Sequence, residues 1–315
     1  MKRSHSKRLV IVLLILLLLP VLPGCPDDEK ALKIDMNRRE TVDMKDAGDA
    51  VVTYAYLPQY SHTVAYERHH LLIEYLKKQT GLNIKQVFPD TFNEHVRMAG
   101  QGKIDISFCN PYVYVILAHR YGESAFAQVV ESSGQKQFRG QIICRVDNHD
   151  IKTLDDCKGK RLIAVDMTSA GGYLYPMGHF YLHGIRSKDF AEISFSPGPG
   201  GKQEKVVLAV YAGQYDIGLI REGTLNVVAD KIDLSQIRIL AYSKWYPGWI
   251  YSARPNLNSE ILSRIKDALF QLNYDNPDHR YILDKADFTG IVPTEDTEME
   301  SVRELLKTLG INLDR

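Results

Sequence analysis

The sequence predicts an α/β fold in two lobes, each a mostly parallel sheet flanked by helices, joined by two hinge crossings. Three observations lead there. From residue 51 onward, apolar runs of strand length alternate with stretches of helical period, the pattern of parallel βα units. The alternating region spans roughly 265 residues, more than one open sheet of this kind ordinarily uses. A second strand–helix series begins near 138, and two strongly periodic helices follow 237. The arrangement that satisfies all three inserts 138–236 as lobe 2 into a lobe 1 built from 51–137 plus 237–315.

Each element has a local reason. VVTYAYL (51–57) reads as a strand and 67–81 as a helix stopped by Gly81; NIKQVF (83–88) is the next strand. A short helix over 91–102 carries Phe92, Val96 and Ala99 on one face. KIDISFC (103–109), a helix over 111–121 and AFAQVVES (125–132) complete the first series. In the second, FRGQIICRV (138–146) and RLIAV (161–165) are strands. A helix with Leu174, Met177, Tyr181 and Ile185 in its stripe follows, then EISFS (192–196), a helix over 202–213 and YDIGLI (215–220). After IRILAYS (237–243), one helix carries Ile261, Ile265, Leu269 and Leu272, and another carries Met299, Val302, Leu306 and Leu309 before Gly310. The crossings are expected near 131–138 and 237–244.

The first 25 residues stand apart. MKRSHSKR is a basic segment, LVIVLLILLLLPVL an apolar one short for a bilayer span, and Leu22-Pro23-Gly24-Cys25 resembles a bacterial lipobox. Residues 1–25 are therefore expected to be a lipoprotein signal ending at a lipidated Cys25, with ordinary secretion or an uncleaved anchor the alternatives because Pro23 is unusual in a lipobox. Residues 26–50, charged and without aromatics, are expected to be a flexible tether to a membrane. Removing residues 1–24 takes Lys2, Arg3, Lys7 and Arg8 from the 39 basic residues and none of the 39 acidic ones, leaving a net charge of −4. That balance gives no electrostatic case for nucleic acid. An anion, if one binds, must be held by local donors. Cys109, Cys144 and Cys157 cannot all pair. They are expected as buried thiols, with a Cys144–Cys157 disulfide the alternative in an oxidising compartment.

Several blocks occur in order and at characteristic spacing: VVTYAYLPQYSHTVAYERHHLLIEYLKKQTGLNI, a Pro-Asp loop, GKIDISFCNPYVYVILAHRYG, SAGGYLYP and YAGQYDIGLIREGTL. Over about 51–310 the chain resembles the phosphonate/phosphite/phosphate-type periplasmic substrate-binding proteins of ABC importers. The resemblance implies a type II periplasmic binding clamp closing on a small anion, and an ABC permease as partner. It implies no enzymatic activity and no cofactor, and a monomer is expected. Related domains also serve as sensor modules, so a membrane receptor or kinase is the alternative partner.

In such a clamp the ligand lies at the carboxyl ends of the strands, where helix N-termini converge. Gln59, Tyr60 and Ser61 in the loop after the first strand match a ligand-facing loop of the family; Ser61 or Thr63 reads equally as a helix cap. Asn110 and Tyr112 follow the third strand, where Asn110 before Pro111 also has the form of a cap. Thr168, Ser169, Gly171 and Gly172 open the helix after RLIAV. Free N–H groups there form an anion cradle, glycines let the backbone approach, and hydroxyls add donors. The family pattern at this block reads Ser-Thr-Ser-Gly; here Ala170 and Gly171 replace two hydroxyls, which leaves a carboxylate or sulfonate ligand open. Arg221 ends YDIGLI and either forks onto the anion or pairs with Glu222 or Asp216. Lys202 and Gln203 are weaker candidates. The Trp245–Trp249 stretch either lines a pocket or forms an aromatic hinge. The histidines are scattered, and no metal site is expected. An enzyme would need Cys109, beside Asn110, as its nucleophile.

Overall fold

The computed structural model describes residues 51–314; the expected signal, Cys25 and the tether lie outside them. The first series forms β1 (Val51–Tyr56), α1 (His62–Thr80), β2 (Asn83–Val87), α2 (Phe92–Gly100), β3 (Ile106–Cys109), α3 (Pro111–Tyr121) and β4 (Ser124–Glu131). Local chemistry sets the boundaries. Ser61 caps α1, which therefore starts five residues before the expected position, and Gly81 ends it at φ 67°. Thr91 and Glu94 close a reciprocal cap at α2, with Glu94 N donating to Thr91 Oγ1 (3.1 Å) and Asp90 N to Glu94 Oε2 (2.8 Å).

The second series follows β5 (Gln137–Phe138). It comprises β6 (Gly140–Arg145), β7 (Arg161–Ala164), α4 (Tyr175–Leu182), β8 (Glu192–Phe195), α5 (Lys202–Tyr211), β9 (Ile217–Arg221), α6 (Thr224–Val227) and β10 (Ile237–Tyr242). The chain then runs through β11 (Tyr246–Pro247), β12 (Ile250–Ala253), α7 (Ser259–Phe270), α8 (Pro277–Ala286), β13 (Phe288–Pro293) and α9 (Glu300–Thr308). Five of these are absent from the sequence reading: the short α6 and β11, and the longer β12, β13 and α8. β12 is four wholly buried residues without alternation, β13 contains Gly290 and Pro293, and α8 buries only Leu283 and Ala286.

The strands form two principal sheets, ordered β13-β4-β12-β3-β1-β2 and β10-β6-β9-β7-β8. Pairing directions make β1–β4 co-directional, with β12 running against β3 and β4 between them. In the second sheet β7–β10 are co-directional, with β6 reversed between β9 and β10. The same plan is used twice: the reversed strand in each sheet is the one entered from a crossing. β5 and β11 pair antiparallel, so the two crossings lie side by side as a short ribbon.

One boundary differs from the expectation. The sequence places residues 237–242 in the return into lobe 1, but β10 pairs with β6 in the second sheet, and the return runs through 243–249. Ile237 and Ile239 pack with Ile143, Ile163 and Val206 on one face while Leu240 packs with Ile142 on the other. A strand apolar on both faces is retained in a two-sided sheet. Among the described residues, Cys109, Cys144 and Cys157 are unpaired and buried, Cys144 and Cys157 within one core.

The largest core runs through the first sheet and continues into Phe138, Ala170, Leu174 and Tyr175 of the crossing and second lobe. Tyr175 stacks on Tyr246 of the ribbon (centroids 4.4 Å apart) and donates to Pro247 O at 3.1 Å. The two lobes are thus drawn together where the strand-to-helix turn at 166–175 meets the crossings.

Candidate ligand-binding cleft

The carboxyl ends of β1, β3, β7 and β9 bring together loops from both sheets. Gln59, after β1, and Asn110, after β3, share a cavity of about 10 Å³ with Ser169, Gly171, Gln203 and Arg221 from the second lobe. Phe92, Phe138 and Trp249 wall the same space. A second cavity of similar volume adjoins it through Gln59, Arg221 and Trp249, and continues to Tyr56, Arg68, Glu131 and Asp287. Each has the room of about one water. An oxyanion enters only if the walls part.

The turn after β7 explains its own composition. Asp166 Oδ1 accepts from Thr168 N (3.0 Å) and Thr168 Oγ1 (2.9 Å), so the Thr168 hydroxyl turns toward Asp166 and away from the cavity. Ser169 Oγ accepts from Gly172 N at 3.1 Å and caps one wide turn, Ala170–Leu174, in which Leu174 N donates to Ser169 O. The expected straight helix begins only at Tyr175, and Ile185 lies beyond its end. Both glycines are sites of close approach. A Cβ on Gly172 would lie 2.3 Å from Val165 Cγ2; one on Gly171 would lie 2.6 Å from Phe138 Cε2 and 3.1 Å from Arg221 Cβ. Gly171 lets the cradle close over Arg221.

In the first lobe, Gln59 Nε2 donates to Tyr56 Oη at 2.8 Å. Asn110 does two things: Oδ1 accepts from Tyr112 N (2.9 Å) and Val113 N (3.0 Å) as the cap of α3, while Nδ2 reaches across to Thr168 O at 3.3 Å. Tyr60 and Ser61 do not line either cavity. Tyr60 is buried with the Arg68 guanidinium 4.6 Å over its ring, and Ser61 is exposed, its hydroxyl accepting from Val64 N. Their backbone abuts Gly200, whose added Cβ would meet Tyr60 O at 2.9 Å. Tyr112 is buried, and burial with Tyr173 and Asp166 nearby pushes its phenol up to about 12.

Arg221 ends β9 and is almost wholly buried. Its Nη2 donates to Glu131 Oε2, its backbone N donates to Gln203 Oε1 at 3.0 Å, and its guanidinium lies 5.0 Å from the Phe138 ring centre. Neither anticipated partner is used: Glu222 forks onto Arg139 (2.8 and 3.0 Å), and Asp216 faces Arg161. Burial opposes the Arg221 charge, but Glu131, Tyr60 and Tyr56 hold it above its ordinary value; burial likewise raises the Glu131 carboxyl against the pull of Arg221. Lys202 pairs with Asp166 at 2.6 Å. Glu131 and Arg68 are missing from the sequence-level candidates. The available signal was position: Glu131 ends β4 at the same carboxyl edge as the other loops. Of the aromatic stretch, Trp249 lines the cavities and stacks on Tyr56 (5.6 Å), whereas Trp245 is exposed against Arg139.

His69 and His95 are core residues: His69 Nδ1 contacts Tyr54 Oη (3.0 Å), His95 Nε2 contacts Ser107 Oγ (3.2 Å), and burial lowers both to about 3. Cys109 is fully buried, and burial with Glu123 nearby raises its thiol well above the ordinary value. That suppresses the thiolate a nucleophile needs.

Two sheets of one strand order, paired crossings and facing polar loops define a type II periplasmic binding clamp. The family described as ABC transporter, phosphonate, periplasmic substrate-binding protein matches residues 54–299, and this chain belongs to it. It is 25% identical over 276 residues to the phosphate-import protein PhnD of Mycolicibacterium smegmatis, covering 82% of this chain and 86% of that one. Two solved structures share the fold. A binding-protein component of a Pseudomonas aeruginosa ABC phosphonate transporter has TM-score 0.72 and 20% identity over 82% of this chain and 86% of its own. PhnD1 of Prochlorococcus marinus in complex with methylphosphonate has TM-score 0.74 and 17% identity, over 82% and 98%. Among the described residues, no helix is long and apolar enough to cross a membrane.

Proposed function

We propose that this chain captures a small oxyanion, of the phosphonate, phosphite or phosphate class, between its lobes and delivers it to an ABC permease, tethered to the membrane through lipid on Cys25. The observation that carries the reading is Arg221: a buried guanidinium from the second sheet, set against Ser169 and the Gly171 backbone, and faced from the first lobe by Gln59 and Asn110. Those groups supply one charged fork, a helix-terminal turn and two amides, a donor set suited to a tetrahedral anion. Binding energy would be spent on lobe closure around it.

The test is calorimetry and thermal shift of the purified chain with methylphosphonate, phosphite and phosphate. At 100 times the dissociation constant a ligand stabilises the fold by about 2.7 kcal/mol. Arg221→Ala leaves Glu131 buried without its partner and costs roughly 3–5 kcal/mol on its own, so the informative quantity is the ligand-induced shift relative to each variant's own baseline. Loss of that shift in Arg221→Ala and its reduction in Ser169→Ala support the reading. A response to small carboxylates alone assigns the cleft to them, in keeping with the hydroxyls absent at Ala170 and Gly171. No response to any of these anions removes the reading and moves a sensing role ahead.

A further inference from the structure

The basic side chains around the cleft are already matched by acids. Arg221 meets Glu131, Arg68 meets Asp287 at 3.2 Å, and Lys202 meets Asp166 at 2.6 Å. The cleft is therefore close to neutral as built, and a bare anion placed in it brings an uncompensated charge.

Glu131 is where that matters. It is 7% exposed; one carboxylate oxygen takes Arg221, while Oε1 is buried with no hydrogen-bond partner. Arg221 Nε is buried and equally unpartnered. The two residues line the same cavity, with Gln59, Tyr56 and Trp249 around them. Two residues that line one cavity and pair with each other thus each keep an unused polar atom, an acceptor on Glu131 and a donor on Arg221, and Trp249 Nε1 adds a second unpartnered donor there. A buried acceptor left without a donor is costly, and a charged one more so. An anion without a proton could take the Arg221 donor, but it would crowd the Glu131 carboxylate with like charge. A ligand that carries a donor beside its anionic group satisfies both orphans at once.

We propose that Glu131 is a specificity-determining residue, selecting ligands that present an N–H or O–H donor alongside the oxyanion: an acid phosphonate or phosphate through its P–OH, or a zwitterion through its ammonium. The inference rests on the cleft function proposed above and narrows it. Arg221 takes the anionic oxygens and Glu131 takes the proton-bearing group. Trp249, stacked on Tyr56, lines the same cavity.

Two matched pairs of probes isolate the donor. Methylphosphonate at mildly acidic pH and methanesulfonate have nearly one shape, and only the first carries an ionisable O–H. 2-Aminoethanesulfonate and ethanesulfonate differ only in the ammonium. Calorimetry on the native chain should find the donor-bearing member of at least one pair roughly ten- to a hundredfold tighter, the worth of one hydrogen bond to a charged group. The first pair points to a P–OH donor and the second to an ammonium. Glu131→Gln should shrink that ratio toward one while strengthening the donor-free sulfonate, because Arg221 is released. If the native chain binds methanesulfonate as tightly as methylphosphonate and ethanesulfonate as tightly as its amino analogue, this inference is overturned and the cleft function stands. A full ratio retained in Glu131→Gln overturns it equally. If no probe binds, the cleft function and this inference fall together.

Discussion

Gly172→Ala probes the turn that joins the fold to the cleft. An added Cβ would lie 2.3 Å from Val165 Cγ2 and 2.7 Å from Val165 Cβ, and 3.0 Å from the capping Ser169 Oγ. Carbon atoms in contact sit about 3.5–4.0 Å apart, so more than an ångström must be found. Neither side yields easily: Val165 N is hydrogen-bonded to Gly172 O at 3.1 Å, and Val165 is fully buried among Ile143, Ile163 and Val206. Overpacking of this sort costs about 1–3 kcal/mol. Ala gains back about 0.5–1 kcal/mol over Gly in helical backbone, leaving a net loss of about 1.3 kcal/mol at the midpoints of the two ranges. Urea denaturation with linear extrapolation measures it. The companion variant is Val165→Ala, which removes the nearest obstacle, Cγ2, while keeping Cβ, and alone costs about 1.6 kcal/mol in lost burial. Because Cβ remains, the relief is partial, and the double variant should be more stable than the sum of the two by about 0.5 kcal/mol or more. A Gly172→Ala protein within about 0.5 kcal/mol of native, the range of ordinary surface substitutions, or a strictly additive pair, would refute the close-approach argument. Gly171→Ala separates stability from function, since its Cβ meets Phe138 and Arg221. Its loss should be relieved by Phe138→Leu and left untouched by Val165→Ala.

Three further outcomes follow from buried groups. His69 and His95 are held near 3 by burial, below the roughly 6.5 of an unfolded chain; the unfolded state takes up protons first, so their stabilisation is complete above about 6.5 and is lost as pH falls toward 3. Each adds about 1.4 kcal/mol per pH unit to the slope of stability in that window, and His95→Gln should remove one such increment in urea titrations between pH 6 and 5. Glu123 is the opposite case: burial, moderated by hydrogen bonds from Ser252 and Ser107, lifts it to about 7, so its contribution is full below the ordinary carboxyl range and is lost as pH rises through 7. Glu123→Gln should therefore be more stable than native by up to about 3 kcal/mol at pH 8.5 and gain nothing at pH 4; equal gains at both would remove the explanation. Cys109, Cys144 and Cys157 are 0% exposed, so peptide mapping after treatment with an alkylating agent should find all three unmodified in the native chain and modified in denaturant.

The local sequence determined what local chemistry can determine. Asn110-Pro111 and Gly81 are a start and a stop whose partners lie within a few residues, and they were legible as such; the cap of Thr91 with Glu94 is equally local but was not read. The strand–helix alternation and the family resemblance likewise needed no contact across the chain. Only the tertiary structure placed β12 between β3 and β4 and β10 in the second sheet, because a short strand buried on both faces has no period to read. The cleft divides in the same way. Arg221, Ser169 and Asn110 were visible as residues at strand ends, but the pairing of Arg221 with Glu131 spans 90 positions and that of Arg68 with Asp287 spans 219. The sequence around Arg221 offered Glu222 and Asp216 as nearer partners, and neither was used. The same limit holds for the two glycines. Their composition announced a turn, while the atoms that forbid a side chain there belong to Val165, Phe138 and Arg221. Caps and periods are properties of a few consecutive residues; ion pairs and close approaches in a buried cleft exist only once distant strands have been brought side by side.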